Sequence, residues 1–185
     1  MRLYDWSEID QIVFELKNHK VAVVETDTVI GLISLNANLI YTIKKRSQNK
    51  KIIRFITKIS DVKGLSEAEQ AIIKPYWPGG LTIIKHNISY RIPNHQKLLE
   101  LISKVDFVYS SSANISGNNP ILHTQDAINI FKKHNFDIVI VDGHQLGERP
   151  STIIDLDRIK VLRIGTINPE PIIKQLKDIK SSSNI

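Results

Sequence analysis

Cysteine is absent from all 185 residues. Disulfide staples, thiolate metal sites and a cysteine nucleophile are therefore excluded, and the usage fits a reducing cytoplasm. Long apolar runs are missing too: no segment approaches the ~20 residues of a membrane-spanning helix. The first residues, MRLYDWSEID, are polar and acidic rather than signal-like. The histidines (His19, His86, His95, His123, His134, His144) are scattered, with no i,i+4 pair on one helix, so a zinc site is not expected. The chain has no G-x-x-x-x-G-K-S/T loop, no G-x-G-x-x-G and no G-x-S-x-G. Its basic residues also lack the aromatic interleaving of a single-strand nucleic-acid platform.

What remains is a chain long enough to bury a core unaided, read as one domain over 1–180 with a frayed tail at 181–185. The formal charge of +6 suits an anionic partner such as a nucleotide, a nucleic acid or an acidic metabolite.

Periodicity supplies the elements. Residues 5–19 read as an amphipathic helix with Ile9, Ile12, Val13 and Leu16 on one stripe. Val21–Val24 reads as a buried strand and Ile30–Leu35 as another. Helices are expected over 38–46, 66–76 (capped by Ser66), 95–104, 124–134 (capped by Thr124) and 169–179. Further strands are expected over 52–59, 81–84, 90–93, 107–110, 138–141, 152–156 and 161–164, the last two as a hairpin. The elements interleave without strict βαβ alternation. The fold class is therefore α/β: a single domain with an open, twisted, mixed sheet and flanking helices.

Five stretches carry chemistry. The strand Phe107–Ser110 runs into Ser110, Ser111, Ser112, Asn114, Ser116 and Gly117. Small donors and acceptors after a strand suit a ligand-facing turn, or simply a polar turn. Thr26-Asp27-Thr28 ends the first buried strand and can hold a polar ligand or cap a loop. Lys44 and Arg46, with Lys50 and Lys51 near, share a side only if the helix ends there, as Ser47-Gln48-Asn49 suggests. They suit a triphosphate or a solvated helix end. Arg91, in a short apolar strand, needs an anionic partner: a substrate carboxylate or an internal salt bridge. Arg149-Pro150-Ser151-Thr152 and Arg163-Ile164-Gly165 add hydroxyls and a guanidinium, or form a plain hairpin.

In this order these stretches resemble the YrdC-type threonylcarbamoyl-AMP synthase family, in its short single-domain form. The resemblance covers about Val21 to Gly165. It is carried by ETDTVIGL (25–32), KKRSQNKKI (44–52), WPGGLT (77–82), RIPNH (91–95), SSSANISG (110–117), DGH with STI (142–144 and 151–153) and LRIG (162–165). The chain departs from the family pattern at Glu25, where the family has proline, and at Ile30, where it has an aromatic lining the pocket. Ser47, Lys51 and Gly80 also stand where the family has proline.

The resemblance implies a deep basic cavity in the sheet and an L-threonylcarbamoyladenylate synthase, a cytoplasmic nucleotidyltransferase. L-Threonine, bicarbonate and ATP would condense to threonylcarbamoyl-AMP and pyrophosphate. A partner tRNA threonylcarbamoyl transferase would then modify an adenosine beside the anticodon, with weak tRNA binding by this chain as a further expectation. Magnesium is expected to bridge the ATP phosphates, with no protein metal ligand assigned. By the same resemblance Lys44, Arg46, Ser112 and Asn114 are the catalytic group. Those four with Lys50, Asn87 and Arg163 would bind ATP, and Thr28, Arg91, Ser110 and Ser151 would bind threonine. Alanine at Lys44 or Arg46 is expected to abolish adenylate formation with the fold intact. The alternatives are a non-catalytic tRNA or double-stranded RNA-binding module using the same basic cavity, and a related carbamoyl-transfer domain of the kind found inside much longer chains.

Overall fold

The computed structural model describes residues 1–115, 117–118, 121–131, 136–147 and 149–182. In chain order its elements are β1 (Arg2–Tyr4), α1 (Ile9–Lys17), β2 (Val21–Val24), β3 (Gly31–Ser34), α2 (Ala37–Lys44), β4 (Ile53–Phe55), α3 (Glu67–Ile73), β5 (Leu81–Lys85), β6 (Ile88–Arg91), α4 (Gln96–Ser103), β7 (Val108–Ser112), α5 (Asp126–Phe131), β8 (Ile138–Val141), β9 (Thr152–Asp155), β10 (Lys160–Arg163) and α6 (Glu170–Ser182). The strands form one sheet in the order β1-β8-β2-β3-β7-β4-β6-β5-β9-β10. Pairing is parallel at β1/β8, β2/β8, β4/β6 and β5/β9 and antiparallel at the other junctions, so the sheet is mixed. No helix among the described residues is long and apolar enough to cross a membrane.

Local signals set most helix ends. The Asp5 side chain accepts from the Ser7 N–H and, with Glu8, completes a capping box that starts a 3-10 turn leading into α1. Ser66 and Glu69 form the same device at α3. Thr124, expected to cap the next helix, instead donates its hydroxyl to the Gly143 carbonyl, and α5 begins two residues later. The rest of that expected helix, 132–134, lies outside the described residues. α6 continues through Ser181 and Ser182, where fraying was expected; Ser183–Ile185 lie outside the described residues.

β4 keeps only Ile53–Phe55 of the strand expected over 52–59, and β6 runs Ile88–Arg91 where 90–93 was expected. Two further strands differ because of pairing. β1 has only three residues and no clear alternation, yet it finds a parallel partner in β8. β7 runs on through Ser111 and Ser112 because β3 pairs with it as far as Gly31 opposite Ser112.

Register places whole rows of side chains on one face. Ala22, Ile33, Ser110, Ile53, Ser89 and Ile84 are successive partners across six strands. At the β2/β8 end this face packs Ala22, Val24, Val139 and Val141 under Ile9, Ile12, Val13 and Leu16 of α1 and Leu98, Leu101 and Ile102 of α4. Each fully buried Ile or Leu there contributes about 1.5–3 kcal/mol. The opposite face is covered at one end by Ile40 and Ile43 of α2 with Phe131 of α5, and at the other by Ile72 and Ile73 of α3 with Ile172 and Leu176 of α6. Farther along the first face, side chains from β7 to β10 line a cavity, and the candidate site lies there.

Candidate active site

The cavity has a volume of about 710 Å³. Alternation explains its wall: Ser110 and Ser112, Ile53 and Phe55, and Ser89 and Arg91 are i,i+2 pairs that point the same way. The described lining holds the cations Arg46, Lys50, Lys51, Arg91 and Arg163 and no carboxylate. Such a wall fits an anion and offers no carboxylate to a divalent ion. Among the described residues no group of three or more His, Cys, Asp or Glu is arranged to hold a metal.

The basic segment reaches the cavity because α2 stops. Lys45 adopts a left-handed conformation (φ 49°), which turns Arg46 off the helix axis. One Arg46 N–H donates to the Lys51 carbonyl at 3.1 Å, while its buried Nε has no partner. Burial pushes this guanidinium down from its ordinary value. An anion in the cavity would relieve both conditions.

Lys44 takes a different place. It is 1% exposed and does not line the cavity. Its Nζ donates to the Ser112 carbonyl, to the Asn114 carbonyl at 2.6 Å and to Asn114 Oδ1 at 2.9 Å. Ser112 Oγ also donates to Asn114 Oδ1, at 2.6 Å. Lys44 therefore sits behind the serine-asparagine turn and gathers its oxygens, which leaves Ser112 and Asn114 in the wall. Burial, and then the nearby Arg46, push the Lys44 ammonium down to about 7.

At the other end Arg91 is 2% exposed and each of its three nitrogens has a partner. Nε donates to the Gly79 carbonyl at 2.9 Å, Nη1 to Thr28 Oγ1 at 2.9 Å and Nη2 to Asp27 Oδ1 at 2.6 Å. The internal salt bridge is thus present, and Thr28 is brought against Arg91. Burial pushes Arg91 down and Asp27 pushes it back up. Arg163 donates to the Ser151 carbonyl at 2.9 Å and to Ser151 Oγ at 3.0 Å, and that hydroxyl lies 2.8 Å from Thr82 Oγ1. Arg163 is pushed down by burial and then by Arg91 and Arg46, so its guanidinium feels the other two across the cavity. A Cβ on Gly31 would come within 3.3 Å of Ser110 Oγ, so glycine allows the T-D-T loop to close on β7.

The structure brings Thr28, Arg46, Lys50, Arg91, Ser110, Ser112, Asn114, Ser151 and Arg163 to one wall. It does not bring Asn87 there. Asn87 (φ 66°) and His86 (φ 47°) form the exposed two-residue turn between β5 and β6. Ser89, two residues on, lines the cavity instead, and the period-2 step back from Arg91 is the signal that finds it. Ile30, expected in the pocket, is fully buried in the core of the opposite face. Glu25 points away from the cavity. Ser116 lies outside the described residues.

The chain matches the family model Sua5_yciO_yrdC, whose description reads "Telomere recombination", over residues 15–165. It belongs to the Sua5/YciO/YrdC family. Every candidate residue above falls inside the matched range. An uncharacterized protein of Mycoplasma genitalium is 34% identical over 151 residues, covering 80% of this chain and 33% of its own. The threonylcarbamoyl-AMP synthase of Chromobacterium violaceum is 29% identical over 145 residues, covering 67% of this chain and 73% of its own. The Sua5/YciO/YrdC fold recurs in P. abyssi Sua5, crystallised with L-threonine, at a TM-score of 0.80 and 23% identity, covering 95% of this chain and 61% of that one. This chain thus spans about a third of the M. genitalium relative's length.

Proposed function

We propose that this chain is a threonylcarbamoyl-AMP synthase. The observation that carries the reading is a single cavity walled by Arg46, Arg91 and Arg163 together with Ser112 and Asn114, with no carboxylate among its described lining residues. The name of the C. violaceum relative points the same way.

In this reading the Arg46 end, with Lys50, Ser112, Asn114 and Arg163, takes the ATP phosphates. Thr28, Arg91, Ser110 and Ser151 take threonine, whose carboxylate bonds Arg91 beside Asp27 or displaces it. Lys44 acts from behind, holding the turn that carries Ser112 and Asn114. Threonine's amine takes up bicarbonate as CO₂, a water leaves, and an N–C bond forms. The resulting carbamate oxygen attacks the α-phosphorus, and the bond to pyrophosphate breaks. The wall contributes proximity and fixed positive charge where charge builds on the leaving group. Magnesium arrives as part of the ATP substrate, because this lining supplies no carboxylate to hold it, and no step is assigned to it.

Isotope exchange between pyrophosphate and ATP tests the reading. Exchange that needs both threonine and bicarbonate is expected. No exchange, with RNA affinity that collapses as salt is added, would mark an RNA-binding module instead. In the synthase reading the adenylate passes to a separate tRNA threonylcarbamoyl transferase.

A further inference from the structure

Glu25 opens the T-D-T loop where the resembled pattern has proline. A proline restrains the backbone covalently; Glu25 is restrained through tertiary bonds. Trp6 Nε1 donates to its Oε1 at 3.0 Å, His95 Nε2 meets the same oxygen at 3.0 Å, and the His144 N–H donates to Oε2 at 3.3 Å. His95 Nδ1 accepts the Leu98 N–H at 3.1 Å, so the ring carries its proton on Nε2 and gives it to Glu25. The Trp6 and His95 rings, both hydrogen-bonded to Oε1 of Glu25, lie 5.2 Å apart.

These three partners belong to the turn before α1, the N-terminus of α4 and the segment after β8. That last segment then lies on the T-D-T loop. The Gly147 N–H donates to the Thr28 carbonyl at 3.0 Å, and a Cβ at Gly147 would come within 2.6 Å of that oxygen. Three and four residues later come Pro150 and Ser151 of the cavity wall. Glu25 therefore ties together the two strips of chain that carry Thr28 and Ser151, while α4, which follows the strand of Arg91, is held at its first turn.

We infer that Glu25 is a positioning residue for the amino-acid end of the cavity: from outside it, Glu25 sets Thr28, Arg91 and Ser151 relative to one another. The inference rests on the reading of the cavity as a threonine and ATP site. Glu25→Ala is expected to raise the KM for threonine about tenfold and leave the KM for ATP within about twofold, since one weakened binding arm of ~1.4 kcal/mol corresponds to a factor of ten. His95→Asn keeps an N-cap acceptor for α4 but loses the bond to Glu25, and a smaller rise in the same KM is expected. A purely structural role would instead lower the active fraction and spare both KM values; that result, or both KM values rising together, overturns the inference. Amide hydrogen exchange on the same proteins gives a readout independent of catalysis. Faster exchange at His144 and Gly147 in Glu25→Ala is expected, and unchanged exchange there also overturns it. Absence of threonine-dependent turnover in the wild type would sink the functional reading, and exchange alone would then decide whether Glu25 ties the two strips.

Discussion

One face of the sheet carries two unlike regions. Under α1 and α4 it presents Ala22, Val24, Val139 and Val141, all buried in a common apolar cluster. Farther along, the same rows present Ser110, Ser89 and Arg91 to an open cavity. Pairing requires both regions to face the same way, so side-chain chemistry alone distinguishes them. Apolar groups gain by leaving water, and helices cover them. Guanidiniums sealed without an anion would lose solvation that nothing restores, so among the described residues this region stays an open cavity. The directions of the Arg46 and Arg163 shifts agree: both cations are already short of compensating charge.

The comparison can be broken at either region. The largest effect is expected from Arg46→Ala, which removes a guanidinium with an unpartnered buried Nε. Threonine-dependent pyrophosphate release should fall about 10²–10³-fold, the range for loss of one preorganised charge-stabilising donor. The melting temperature should hardly move. Leu98→Ala tests the covered region. It should cost about 2–5 kcal/mol in denaturant unfolding while leaving the KM values of the folded enzyme unchanged. If the two variants exchanged phenotypes, the division of the face would be wrong.

The pH dependence sharpens the boundary between the regions, where Lys44 stands. Its folded value of about 7 lies below the ordinary 10.5. Between those values the unfolded chain binds the extra proton, so stability rises as pH rises through about 7 and onward to about 10.5. Below about 7 the cost of the buried charge is fully present. A neutral amine, however, has one N–H fewer for the three oxygens of Ser112 and Asn114, so turnover should fall as pH rises through about 7. Lys44→Met should flatten the stability profile, and an unchanged profile in that variant would remove Lys44 as its source. The smallest effects are expected at Ser89 of the wall and at Asn87 outside it. Ser89→Val should weaken ATP or threonine binding a few-fold with stability unchanged or slightly raised, whereas Asn87→Ala at the β5–β6 turn should leave both within about twofold by steady-state kinetics.

Much of the fold was legible because it is local. The stripe of Ile9, Ile12, Val13 and Leu16, the capping box at Ser66 and the apolar run Val21–Val24 each announce an element without help from distant chain. β1 was not legible, since three residues at a sheet edge owe their conformation to β8. The candidate site was legible in parts. The motif stretches lie at strand ends, and Ser47-Gln48-Asn49 signalled that the helix stops nearby, although it was expected to reach Arg46 and α2 ends at Lys44. Sequence could not separate the roles of Lys44 and Arg46. They stand two residues apart, yet the left-handed Lys45 sends one behind the turn and the other into the cavity. Asn87 was misplaced for a related reason, because a spacing of four from Arg91 crosses a hairpin turn while a spacing of two stays on the strand.

Residue order by itself determined most of the helices and the interior strands, the excess of positive charge, the lack of thiol chemistry and the strand-end motifs that carry membership of the family. Those properties depend on near neighbours or on composition. Tertiary structure alone decided that Arg91 is already paired with Asp27, that Glu25 turns outward to Trp6, His95 and His144, and that Ser89 rather than Asn87 meets the cavity. Each depends on contacts between residues far apart in sequence, and only strand order and register determine which distant residues meet.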